Sequence, residues 1–413
     1  MPRSFPRRVS RERDSERRRL GHPGDSRYTG VPSMRLLVSA GETSGDLYAG
    51  ELVRHIRLTE PSSEVFGLGG DRLAAEGAEL LAHVRDLAVV GLLEVVSHLR
   101  SLRRVFLRVL AEVERRPPDV AVLVDYPDFN LRLARQLRRR GVRVVYYVSP
   151  QVWAWRRGRL DAIRKTVDRM LVIFPFEEAL YREAGVPVAF VGHPLVDLVR
   201  PPADRAGFLA RAGLDPGRPV VALLPGSRTK EIAHNLPPLA GAVKILGHER
   251  PELQFLLPLA PGLEARAVEA ALGSLPVRIV PNQAQAALAC CTMAVVASGT
   301  ATVEAALVGA PMVVVYRLAP LTYLLGRRLV KVPHFAMANL IAGSRVVPEV
   351  IQRELTPERV AAEVRALVDD PARRQAMKEA LAEVRRRLGA PGASARAAAE
   401  VLAVARGSVI KNA

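Results

Sequence analysis

From Met34 onward, short runs of aliphatic and β-branched residues alternate with longer stretches whose apolar positions recur at helical spacing. The pattern predicts strands at residues 35–39, 65–68, 120–124, 142–148, 170–173 and 188–191. Several are apolar at every position, as strands of a parallel sheet covered on both faces must be. A stretch rich in Pro, Asp and Gly follows (Arg200-Pro201-Pro202, then Asp215-Pro216-Gly217-Arg218-Pro219) and reads as a linker. The alternation then restarts, predicting strands at 220–224, 254–258, 277–280, 293–297 and 312–315. Beyond Thr356, a predicted N-cap, the chain reads as helix, with Val360, Val364, Leu367 and Val368 on one stripe. The expected fold class is α/β, with two doubly wound Rossmann-like domains facing a central cleft and C-terminal helices. Expected boundaries are 1–33 for an extension, 34–197 and 198–355 for the two domains, and 356–413 for the helical segment.

A length of 413 residues agrees with two cores, and 49% hydrophobic residues can fill both. No apolar stretch reaches the roughly 18–20 residues of a membrane span, and no apolar region follows the N-terminal arginines, so a cytoplasmic location is expected. Cys290 and Cys291 are adjacent in an apolar segment and read as core filler. The eight histidines form no metal-binding pair. The formal charge of +18 has two readings: an anionic partner, or a coding bias toward arginine. Residues 1–33 hold nine arginines against four acids with almost no apolar periodicity, which predicts disorder, and Met34 is an alternative start.

Chemistry is concentrated in the turns that follow predicted strands, where ligands of such folds bind. Residues 39–50 read SAGETSGDLYAG, with Glu42 and Asp46 among the glycines. Two carboxylates disfavour a bare pyrophosphate and suit a polyhydroxylated or amine-bearing ligand, with Ser44 as a further contact. After 220–224 comes Pro225-Gly226-Ser227-Arg228-Thr229-Lys230-Glu231, which combines a close-approach glycine, a hydroxyl, cations and a helix start, the ingredients of a diphosphate site. The bland reading is a solvated basic turn. After 293–297, Ser298-Gly299-Thr300 opens a helix with Glu304 one turn in, placed to accept from vicinal hydroxyls or simply to complement the helix dipole. Asp125, at the end of 120–124, is placed to take a proton from an attacking hydroxyl; Asp128 is the rival, or a helix cap. Trp153 and Trp155 read as stacking platforms or packing anchors. Residues 86–99, nearly all apolar, precede a helix bearing Arg100, Arg103, Arg104 and Arg108, the pattern of a membrane contact, an acyl groove or a buried helix.

The ordered blocks SAGETSGD, GLGGD, VGLLEV, DYPDFN, YVSPQVWAW, FPFE, VGHPL, LLPGSR, SGTATVE and ANLIAG, spanning about residues 34–355, resemble the lipid-A-disaccharide synthase family. The resemblance implies a GT-B glycosyltransferase that uses no catalytic metal and no cofactor. It implies transfer of 2,3-diacylglucosamine from UDP to the 6-hydroxyl of 2,3-diacylglucosamine 1-phosphate, giving the β(1→6) disaccharide 1-phosphate with inversion. Carried over position by position, it implies Asp125 as general base. Gly226, Ser227, Arg228, Ser298, Gly299, Thr300, Glu304 and Asn339 would form the donor side, and Glu42, Ser44 and Asp46 the acceptor side. The implied partners are UDP-diacylglucosamine, diacylglucosamine 1-phosphate and the cytoplasmic face of the inner membrane, with peripheral attachment and no nucleic acid. Residues 301–304 read ATVE where the family pattern has AALE, which leaves Glu304 in register. The alternatives are a nonhydrolysing UDP-sugar epimerase on the same fold, or a basic protein that binds nucleic acid or a membrane surface without catalysis.

Overall fold

The computed structural model describes residues 33–87, 95–152, 158–318 and 333–407. The extension up to residue 32, the apolar residues 88–94 and the segment holding Trp153 and Trp155 lie outside the described residues.

The first sheet contains β1 (Arg35–Ala40), β2 (Glu64–Gly69), β3 (Glu79–His83), β4 (Val120–Val124), β5 (Arg143–Tyr147), β6 (Arg169–Val172) and β7 (Val188–Phe190). The second contains β8 (Val220–Leu224), β9 (Gln254–Leu259), β10 (Val277–Pro281), β11 (Met293–Ala297), β12 (Met312–Tyr316) and β13 (Glu349–Ile351). Their orders are β3-β2-β1-β4-β5-β6-β7 and β10-β9-β8-β11-β12-β13, parallel throughout. In both sheets the strand order reverses beside the first strand, between β1 and β4 and between β8 and β11. Such a reversal splays the adjoining loops apart and opens a crevice at the carboxyl ends of the strands.

The central strands are fully buried: every residue of β4, β8 and β11 is covered, which is why the chain supplies Val, Ala, Leu and Met there. The edge strands β3 and β13 are half-exposed and mixed in character, and the apolar pattern alone does not predict them. In the helix Val95–Arg115, Val109, Leu110 and Val113 are buried, as their spacing predicts, while Leu107 and the arginines at 100, 103, 104 and 108 face outward. Cys290 is buried among aliphatic residues and its thiol is free.

The helices after residue 356 serve both sheets. Thr356 caps Pro357–Asp369 by accepting from the Arg359 N–H at 3.2 Å, and this helix packs on Thr229–Glu249 of the second lobe. Pro371–Arg387 packs on Thr300–Val308 and Met337–Ala342. The last helix, Ala393–Ala405, returns to the first lobe and covers Thr43–Thr59, β4 and β5. Its start is held by Asp197, which accepts from the Gly392 and Ala393 N–H groups at 2.8 and 3.0 Å, and its body by the Arg169–Glu400 ion pair at 2.8 Å. The lobes are thus tied together at the rim by a helix that belongs by sequence to one and by packing to the other.

Candidate active site between the two lobes

Four loops leave the carboxyl ends of β1, β4, β8 and β11, the strands that flank the two order reversals. In the first, Gly41 is obligatory because a Cβ there would lie 2.2 Å from the Tyr126 ring of the β4 loop. Glu42 begins the helix Thr43–Thr59 without capping it by its side chain. Its carboxylate reaches the other lobe instead, where Oε2 accepts from Arg228 Nη2 at 2.7 Å. Ser44, half-buried, stands beside it in the first helical turn.

Asp46 departs from the expectation of a ligand contact. Its carboxylate is buried and accepts from the N–H groups of Gly70 (2.6 Å), Arg72 (3.0 Å) and Leu73 (3.1 Å), thereby holding the start of the helix Asp71–Ala75. An acid with both oxygens engaged by backbone donors is an anchor for the neighbouring loop.

The β4 loop carries unusual backbone. Asp125 and Tyr126 are consecutive non-glycine residues in the left-handed region, with φ of 48° and 50°. The conformation is over-determined by its partners. The Asp125 carbonyl accepts from Tyr146 Oη at 2.6 Å and from Asn130 Nδ2 at 2.8 Å. Asn130, fully buried, also accepts from Ser39 Oγ at 2.7 Å, so it joins the ends of β1 and β4. The Asp125 side chain is half-buried at this turn. Burial, reinforced by the Glu42 carboxylate, pushes its pKa up from 3.8 to about 7; a hydrogen bond from the Tyr126 backbone and the charge of Arg228 hold it from rising further. Asp128, by contrast, is exposed and ion-paired with Arg159. Of the two acids, Asp125 is the one set among the Glu42 and Arg228 charges.

In the β8 loop, Gly226 has φ of 136°, and a Cβ there would meet the Glu231 Cβ at 2.6 Å. Glu231 folds back to accept from the Ser227 and Arg228 N–H groups at 2.9 and 3.3 Å, the reciprocal half of a helix start. This leaves the Arg228 guanidinium, 67% exposed, as the loop's outward cation. Asn235 fixes the loop from below by donating to the Pro225 carbonyl at 2.9 Å.

The β11 loop is the second helix start. Ser298 does not cap it: its hydroxyl donates to the Phe335 carbonyl at 2.9 Å, and Gly299 takes the cap position with φ of 151°. Gly299 and Thr300 are exposed, and among the described residues no non-neighbouring atom lies within 4 Å of where a Gly299 Cβ would stand. Glu304 is half-buried and accepts from Gln285 Nε2 at 3.1 Å; burial raises its pKa, against that hydrogen bond. The negative charges of Glu304 and Asp125 are both felt at the Tyr48 hydroxyl on Thr43–Thr59, whose pKa burial raises first of all. The second lobe's acid and the first lobe's acid thus both lie within electrostatic reach of Tyr48.

Asn339 is the second departure. It is fully buried; Nδ2 donates to the Val347 carbonyl (3.0 Å) and to Glu349 Oε1 (2.8 Å), while Oδ1 accepts from the Val346 and Val347 N–H groups. All of its hydrogen-bonding capacity is satisfied within the fold. Through Glu349, which also accepts from the Phe335 and Ala336 N–H groups, it braces the segment whose Phe335 carbonyl holds Ser298.

Tyr48, Asn130, Glu231 and Gln285 support or adjoin the candidate site, and sequence reasoning does not single them out. Glu231 had a visible signal, an acid three residues after the helix-initiating Arg228. Asn130 closes the DYPDFN block but carries no local pattern that announces its long-range bonds.

A model of the lipid-A-disaccharide synthetase family matches residues 36–403, and the match spans all four loops. The chain belongs to the lipid-A-disaccharide synthase family. Among curated members, the lipid-A-disaccharide synthase of Geobacter sulfurreducens is 45% identical over 372 residues, covering 90% of this chain and 97% of the relative. Solved structures extend the likeness at the level of fold. The calicheamicin glycosyltransferase CalG4 superposes with a TM-score of 0.58 at 17% identity, over 92% of this chain and 100% of that one. The UDP-GlcNAc 2-epimerase of Neisseria meningitidis bound to UDP-GlcNAc superposes with a TM-score of 0.63 at 12% identity, over 89% and 100%. The architecture is thus the GT-B arrangement, and family membership separates this chain from the epimerases that share it.

Proposed function

We propose that this chain transfers 2,3-diacylglucosamine from UDP-2,3-diacylglucosamine to the 6-hydroxyl of 2,3-diacylglucosamine 1-phosphate, releasing UDP and forming the β(1→6) lipid A disaccharide 1-phosphate. The observation that carries the reading is the convergence, in a member of this family, of a half-buried acid of raised pKa on one lobe with a cationic helix start on the other.

A single displacement with inversion needs a base beside the acceptor hydroxyl and a positive environment for the departing diphosphate. Asp125 is the base. Its carboxylate takes the proton from the 6-hydroxyl as that oxygen attacks the anomeric carbon, and a pKa near 7 matches the task better than that of an ordinary aspartate. Arg228, with Gly226 and Ser227, receives the diphosphate as the bond to the sugar breaks. Ser298, Gly299 and Thr300 offer the second helix start to the same group, and Glu304 accepts from the ribose hydroxyls. Glu42 and Ser44 line the acceptor side. Residues 34–197 accordingly form the acceptor and base lobe, residues 198–355 the UDP-sugar lobe, and residues 356–413 the helical closure.

No helix among the described residues is long and apolar enough to cross a membrane. We read the protein as a peripheral one working at the cytoplasmic face of the inner membrane. The helix Val95–Arg115, with Leu107 53% exposed among surface arginines, supports that placement.

The test is phosphorus and proton NMR of the reaction. UDP should appear only when both glycolipids are present, and the new anomeric proton should show the large coupling of a β linkage. UDP release with an α linkage, or conversion of the UDP-sugar alone into an epimer, contradicts the reading.

A further inference from the structure

We infer that the groove between the helices Pro127–Arg139 and Arg159–Thr166 seats the phosphate of the acceptor glycolipid, an inference that rests on the functional reading above. The groove holds about 470 Å³ and opens two residues after Asp125, at the start of the helix that the β4 loop launches. Arg132 and Arg135 line one wall and Arg159 the other, against a single acid, Asp128.

What sets the groove apart is that three arginines line its two facing walls. Elsewhere on the same lobe Arg138 pairs with Asp168, Arg140 with Glu114, and Arg116 with Glu64 and Glu79, whereas Arg103, Arg104, Arg108 and Arg139 are exposed singly rather than gathered on a groove. Arg132 and Arg135 are exposed and make no hydrogen bond or ion pair with any described residue. They stand three residues apart on one helix face, where like charges repel unless an anion lies between them. Arg159 is held at the opposite rim by Asp128, its side chain only 15% exposed, so one guanidinium is pre-positioned while two await a partner.

The acceptor's chemistry fits this layout. Its phosphate is on C1 and its reacting hydroxyl on C6, the exocyclic carbon attached to C5, and C1 and C5 are the two carbons that flank the ring oxygen. A sugar with its 6-hydroxyl at Asp125 projects the phosphate about one ring's width away. The helix starts at Pro127, two residues beyond Asp125, and Arg132 lies about 7 to 8 Å further along its axis, a span of the same order. A phosphomonoester carries about −1.5 to −2 charge near neutrality and three acceptor oxygens, and guanidinium forks match it in pairs. The same chemistry occurs in the headgroup of an anionic phospholipid, so the test must separate the two sources.

The experiment compares the full unmodified chain with Arg132→Ala/Arg135→Ala in mixed detergent micelles. Initial rates are measured with the phosphorylated acceptor and with the same glycolipid bearing a free 1-hydroxyl; flotation with phosphatidylglycerol vesicles is run in parallel. The expected result is a KM for the phosphorylated acceptor raised about 10- to 100-fold, with donor KM and the KM of the free-hydroxyl acceptor unchanged, so that discrimination between the acceptors disappears. Arg132→Lys/Arg135→Lys should fall between the two, since it keeps charge and loses the forks. An unchanged KM, or an equal rise for both acceptors, overturns the site. Loss of vesicle flotation with unchanged micellar KM assigns the arginines to membrane lipid and also overturns it. Absence of disaccharide from the unmodified chain overturns the functional reading, and the site with it.

Discussion

Glu42 Oε2 accepts a hydrogen bond from Arg228 Nη2 at 2.7 Å, although the two residues lie 186 positions apart and on different sheets. The pair joins the loop after β1 to the loop after β8 across the cleft. On the proposed function, a diphosphate arriving at Arg228 competes with Glu42. Because the pair is partly exposed, its own strength is modest, about 1 kcal/mol or less. Arg228→Ala should therefore weaken UDP binding about 10- to 100-fold by titration calorimetry, whereas Glu42→Gln should tighten it by no more than about fivefold. A weaker UDP complex for Glu42→Gln would show that Glu42 contacts the donor.

The same pair tunes Asp125. As a base it works as the carboxylate, so kcat/KM for the acceptor should rise with pH through about 7 and level off above. A neighbouring carboxylate disfavours the charged form, so Glu42→Gln should move the rising limb to lower pH, the more so because Arg228 is then released to act on Asp125. A limb that moves to higher pH contradicts the assigned cause.

Burial of Asp125 also has a stability signature. Between its ordinary value of 3.8 and about 7, the folded protein retains a proton that the unfolded chain has lost, so stability falls as pH climbs through this window. Asp125→Asn removes the penalty and suits the left-handed backbone at φ 48°. It should raise Tm at pH 8, by roughly 2–4 °C per kcal/mol of strain relieved, and change it little at pH 4. Equal Tm for the two proteins at pH 8 would mean that Asp125 is not strained by burial.

Asp46 and Asn339 should behave as anchors. Asp46→Ala strands three N–H groups and should cost about 2–4 kcal/mol in urea unfolding, with UDP affinity of the folded protein unchanged. Asn339→Ala should likewise lower stability and loosen the Ser298 loop. Loss of affinity or turnover at full stability would restore either residue to direct contact.

These two residues mark where the sequence stops being legible. The strands β4, β8 and β11 are readable because burial on both faces demands an unbroken apolar run. Loops at their ends are readable as well, since a parallel sheet leaves nowhere else for a ligand. The edge strands β3 and β13 escape because half-exposed positions accept glutamate and histidine, which blur the alternation. What a polar side chain in such a loop does depends on whether distant backbone has already taken its hydrogen bonds. Asp46 is engaged by residues 70–73 and Asn339 by residues 346–349, while Glu42 and Arg228 remain turned toward each other across the cleft. Spacing along the chain cannot distinguish these cases. The paired left-handed residues at 125 and 126 likewise emerge only from the packing of Asn130 and Tyr146.

The most direct measurement is mass spectrometry of products from both glycolipid substrates, made with the unmodified chain and with Asp125→Asn, alongside UDP affinity for each. The unmodified chain should yield disaccharide 1-phosphate and UDP in equal amounts, and Asp125→Asn should yield about 10²- to 10⁴-fold less while binding UDP as tightly. Product formed at an undiminished rate by Asp125→Asn, or no disaccharide from the unmodified chain, would contradict a base on one lobe acting against a UDP site on the other.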